Sequence, residues 1–120
     1  MSDRPTAAEL AEAVRGFLDE EVQPALQGGR LRFRALVATN ALSILQRDLA
    51  LGPGLLREEE VLLSALLDLP AAQGAQALNL ELCRRLRRGE IPQGTRAALL
   101  RIAAMKLSIA SPKYLKGGPR

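Results

Sequence analysis

Between Leu31 and Leu51 the chain reads LRFRALVATNALSILQRDLAL, and at about 100° per residue its side chains sort into two unequal sectors. Phe33, Val37, Ala41, Ile44, Leu45, Leu49 and their apolar neighbours fill an arc of roughly 200°, broken only by Arg34 and Asp48. Arg32, Thr39, Asn40, Ser43, Gln46 and Arg47 take the rest. A surface helix needs an apolar stripe about half that wide, so the pattern predicts a helix flanked on at least two sides. The other segments are expected to pack around it.

Upstream, Thr6-Ala7-Ala8-Glu9 has capping-box spacing, which opens a helix whose face is Leu10, Val14, Phe17 and Leu18. Glu21 falls on that same apolar face, and Pro24 with Gly28-Gly29 ends the segment. Gly52-Pro53-Gly54 predicts a firm break after the central helix. A third helix follows from about Leu55 to Leu69, with Glu58, Glu59 and Glu60 in its first turns, where the helix dipole favours negative charge. A fourth spans roughly Ala71 to Arg88 with Ala75, Leu78, Leu82 and Leu86 inward, and Gly89 stands where a C-terminal glycine belongs. A fifth opens at Thr95 and ends before Pro112, with Ala98, Leu99, Ile102 and Ile109 inward. The expected fold is all-α, a single-domain bundle of about five helices over residues 1–120. The ends, 1–5 and 116–120, are expected to be mobile.

Composition supports this class. The apolar share of 48% comes mostly from Leu and Ala, with 2% aromatics and no Trp, so helix formers far outnumber strand formers. Net charge is +4, within the ordinary range for a soluble domain of this size. One cysteine, Cys83, allows no internal disulfide, and no apolar run approaches the roughly 20 residues of a membrane span. The N-terminus has no apolar signal core. A cytoplasmic protein is expected.

Histidine is absent, which removes the commonest general base and metal ligand. No phosphate-cradling glycine loop, nucleophile elbow or zinc spacing occurs. A catalyst is therefore not expected, and no cofactor is implied. Four groups of residues remain as candidates. Arg84, Arg85, Arg87 and Arg88 could form an anion or phosphate-backbone site; against that, cations in the last turns of a helix simply oppose its dipole, and no aromatic platform accompanies them. Lys106 falls between Leu99 and Ile102 on the predicted inner face, so it either pairs with Glu21 or extends its stem to water. Asn40, one turn from Ser43 and Arg47, borders the central arc as a structural amide or a ligand contact. Leu55, Leu56, Leu63 and Leu67 exceed what docking helix three requires, which fits either a two-fold dimer or full burial within the monomer.

Four segments together resemble a known family: Arg4-Pro5-Thr6-Ala7-Ala8-Glu9-Leu10, Val37-Ala38-Thr39-Asn40-Ala41-Leu42, Leu78-Asn79-Leu80-Glu81-Leu82-Cys83 and the stretch from Lys106 to Tyr114. They resemble an uncharacterised bacterial domain-of-unknown-function family, encoded beside aminoglycoside-phosphotransferase-like kinases and acyl-CoA dehydrogenases. In that family a histidine often follows the aromatic at the start of the central helix; here Arg34 follows Phe33, which weakens any role for that position. The resemblance implies a non-catalytic accessory subunit of one of those enzyme systems. A nucleic-acid-binding module using Arg84–Arg88 and a binder of small acyl or phosphate-ester ligands through Lys106 and Asn40 are the competing expectations.

Overall fold

The computed structural model describes residues 3–116, and among them there is no strand. Of the ends expected to be mobile, 1–5 and 116–120, residues 1–2 and 117–120 lie outside the described residues. The fold is all-α. Its elements are α1 (Ala7–Phe17), a π turn (Leu18–Val22), the short α2 (Gln23–Ala25), α3 (Gly29–Leu67), α4 (Ala75–Arg87) and α5 (Thr95–Ala110), with 3-10 turns at Ala71–Gln73 and Pro112–Lys116. Contacts group the chain into two compact units, one ending at Leu51 and the other starting at Gly52.

In the first unit, α1 begins as its sequence dictates. The Glu9 amide donates to Thr6 Oγ1 at 3.1 Å, and the Thr6 amide donates back to Glu9 Oε1 at 2.8 Å. At Leu18 the winding loosens, and the Gln23 amide reaches five residues back to the Leu18 carbonyl. Pro24, which has no amide to give and a ring that crowds the preceding turn, follows at once. A constant 100° step places Glu21 on the apolar face of Leu10, Val14 and Phe17; in the structure Glu21 lies in this π turn and is exposed, as those three side chains are. The chain leaves the helix at Leu26, and Gly28 takes a φ of 94° that a side chain would resist.

The predicted break at Gly52-Pro53-Gly54 does not occur, because α3 runs through it. Proline removes one backbone hydrogen bond and its ring crowds the Leu49 carbonyl, but Gly52, having no Cβ, relieves part of the clash with the preceding residue. What the glycines and proline do mark is the boundary between the two units. The separate helices expected at Leu31–Leu51 and Leu55–Leu69 are thus parts of one. It ends at Asp68, whose φ of 57° puts it in the left-handed region; the Leu69 amide donates to the Ser64 carbonyl at 3.2 Å, and Pro70 prevents continuation.

The second unit carries the larger core: Leu63 and Leu67 from α3, Leu78 and Leu82 from α4, and Ile102 and Met105 from α5. Leu55, Leu62, Leu66 and Leu69 pack around them, half-buried. Leu63 and Leu67 are therefore not spare surface for a dimer: they are the centre of this unit, Leu63 being 0% exposed. Of the four leucines considered for that role, Leu56 alone is exposed. The inner face of α5 also differs from expectation. Thr95, Ala98, Ile102 and Met105 turn inward, while Leu99 is exposed. Leu86, expected inside α4, is exposed as well.

Candidate functional site

The basic run at the end of α4 is largely neutralised by its own helix. Glu81, one turn earlier, accepts from Arg84 Nε at 3.0 Å and from Arg85 Nε at 2.9 Å. Arg88 sits 4.0 Å from the same carboxylate and donates to Glu90 through Nε at 3.1 Å. The hydrogen bonds from Arg85, then Arg84, hold the Glu81 carboxyl below its ordinary 4.5, and the Glu90 bond pushes the Arg88 guanidinium up. Arg87 is exposed. Beside the run lies an open depression of about 540 Å³ lined by Glu81, Arg85, Arg88, Glu90, Ile91 and Pro92. Four of its six lining residues are acidic or apolar against two arginines, so it offers a phosphate no concentrated positive field.

The sequence leaves Lys106 either a pair with Glu21 or a stem extended to water; Glu21 is exposed, as is Lys106 itself. Lys106 Nζ lies 3.7 Å from Glu59 Oε2 on α3, with its own side chain 68% exposed. With a side chain this exposed the charge reaches water, in keeping with the snorkelling alternative. Glu59 is the buried partner, 7% exposed, and it accepts from Asn79 Nδ2 at 2.9 Å; the same nitrogen donates to the Ala75 carbonyl at 2.9 Å. Beside it, Glu58 takes two bonds from Arg101, at 2.8 and 3.1 Å. Glu58 and Glu59 were expected to be solvated charges complementing a helix dipole. They are instead side-chain ties between α3 and its neighbours α4 and α5. The signal for Glu59 was present: it stands one turn after Leu55 and one before Leu63, both on the core side of α3.

Asn40 and Arg47 lie on the first-unit part of α3, Asn40 exposed and Arg47 half-buried, whereas Lys106 belongs to the second unit. Cys83 is free and exposed. Among the described residues no group of Cys, Asp and Glu could hold a metal ion, and no helix is long and apolar enough to cross a membrane.

The most unusual feature belongs to the first unit. Its two helices meet along the margins of their apolar faces. On α1, Ala11 is buried and Arg15 half-buried, and Leu18 and Val22 of the π turn follow half-buried; on α3, Ala35, Thr39, Leu42 and Gln46 are half-buried at helical spacing. Gln46 Nε2 donates to Glu12 Oε1 at 2.7 Å and ties the helices together. Arg15, then Gln46, by bonding the Glu12 carboxylate, hold its pKa below the ordinary value. The side chains expected to face inward are turned out instead: Leu10, Val14 and Phe17 on α1, and Phe33, Val37, Leu45 and Leu49 on α3. Gln23, buried at the end of the π turn, leaves its Nε2 without a hydrogen-bond partner.

Residues 24–114 match the model of a domain of unknown function, DUF6285. The chain belongs to that family. No curated protein and no solved structure matches it. The family covers both units, from the end of the π turn to the last 3-10 turn, and leaves α1 outside the matched residues.

Proposed function

We propose that this chain is a non-catalytic interaction subunit, acting in the cytoplasm, that docks a protein partner on α1. The observation that carries the reading is the stripe Leu10, Val14 and Phe17. These side chains recur at i, i+4 and i+7 and are each at least half exposed, 50–54%. Such an arrangement is the anchor pattern of a helix that lies against a partner's apolar surface. In the second unit Glu58, Glu59, Glu81, Arg84, Arg85 and Arg101 are engaged in ties between or within helices, which gives them structural work. The family resemblance supports a phosphotransferase-like kinase or an acyl-CoA dehydrogenase as the enzyme served. The nucleic-acid alternative is disfavoured by Glu81 and Glu90, which sit among the arginines it would need.

The test is affinity capture from the native host with the wild-type chain and with Leu10→Glu plus Val14→Glu. Both residues are exposed, so the variant should keep its helical circular dichroism. The proposal expects one of the two enzyme classes with wild type and its loss with the variant. Recovery of neither class, or equal recovery with both proteins, overturns it.

A further inference from the structure

The outward face of α3 in the first unit is chemically symmetric about Ala41. Four residues away in either direction stand Val37 and Leu45; seven away, Arg34 and Asp48; eight away, Phe33 and Leu49. Leu31 and Leu51 complete the pattern at ten. Apolar residues thus match apolar ones, and the cation matches the anion. At 100° per residue each pair falls at equal angles on either side of the Ala41 direction, and every one of these side chains is exposed.

We infer that the chain forms a two-fold homodimer in which this face of α3 packs antiparallel against the same face of a second copy. A two-fold axis through Ala41 brings Val37 of each chain to Leu45 of the other, and Phe33 to Leu49. It also sets Arg34 against Asp48 twice. Matching of this kind is a requirement of isologous contacts and of no others; a foreign partner would not need a cation and an anion equidistant from a small residue. Alanine at the crossing lets the two backbones approach closely. The charges, which interrupt the apolar arc in a single chain, become mutual partners in the pair.

The area is adequate. The six large apolar side chains of the face are between 38% and 66% exposed. They offer on the order of 500 Å² of apolar surface per copy. A standard interface needs about 800 Å² per partner, of which roughly 65% is apolar in homodimers. The inference does not rest on the partner reading above, since it uses α3 and not the α1 stripe.

Sedimentation of the full chain tests it. Wild type should run at twice the 12.9 kDa chain mass. Arg34→Asp and Asp48→Arg, each alone, bring like charges together and should weaken the dimer by roughly tenfold or more. The two changes combined restore opposite charges and should restore the dimer. Should any variant lose helicity, cross-linking gives an independent reading in a Cys83→Ser background: Ala41→Cys should form an intermolecular disulfide readily, and Ala50→Cys, on the opposite side of α3, should not. A wild type that remains monomeric at its highest soluble concentration overturns the inference. So does a dimer indifferent to either single charge reversal, a double exchange that fails to recover it, or cross-linking no faster at position 41 than at position 50.

Discussion

Replacing Asn79 with alanine should cost more than removing Lys106, although only Lys106 carries a charge opposite to Glu59. The Glu59 carboxylate is buried and has two neighbours, Asn79 Nδ2 at 2.9 Å and Lys106 Nζ at 3.7 Å. A hydrogen bond to a charged acceptor contributes about 1.5–3 kcal/mol. Alanine regains roughly 0.5 kcal/mol of helix propensity inside α4, so Asn79→Ala should destabilise by about 1–2.5 kcal/mol. The lysine is 68% exposed, and exposed pairs are worth about 0–1 kcal/mol, which makes Lys106→Met the milder change. Urea unfolding followed by circular dichroism reads both, provided the slope of the transition is unchanged. Glu59→Gln completes a double-mutant cycle. With a neutral acceptor at position 59, Asn79→Ala should lose part of its cost, because the two residues are in contact. The reasoning is refuted if Lys106→Met costs as much as Asn79→Ala, or if the cycle with Glu59 is additive.

Leu63→Ala should destabilise the second unit by about 2–5 kcal/mol, read as a lowered thermal midpoint, because Leu63 is fully buried and its neighbours on three helices hold the cavity open. Acid should weaken the fold below the ordinary carboxylate value of 4.5, since Glu81 and Glu12 are held lower when folded. Their contribution is present above that value and lost as pH falls through the folded one, so Glu81→Gln should flatten the acid limb of a stability–pH profile. A duplex DNA fragment should show no mobility shift with this protein at low ionic strength; a clear shift would restore the nucleic-acid reading of Arg84, Arg85, Arg87 and Arg88.

Periodicity revealed the elements better than the faces. The all-α class, the Thr6–Glu9 cap, the stop at Gly89 and the span of α5 followed from local rules, because caps and prolines act within a few residues. Gly52-Pro53-Gly54 was legible as a boundary and misread as a helix break: composition identifies a costly stretch, and only the backbone shows whether the helix bears that cost. A wheel with a fixed step also gave no sign of the π turn in which Glu21 lies. On α1 and α3 the apolar sectors were found correctly. The inference that they face inward failed, because a wheel shows which side chains share a face and not what covers it. Glu59 and Asn79 were the tertiary pair that no local rule could join, twenty residues apart in sequence.

Whether this chain works bound to another protein is measured directly by native mass spectrometry of the protein withdrawn intact from its host. The predicted spectrum contains the chain in a stable complex with a phosphotransferase-like kinase or an acyl-CoA dehydrogenase. Species containing only the 12.9 kDa chain or its multiples, with no second protein at any stoichiometry, would contradict it.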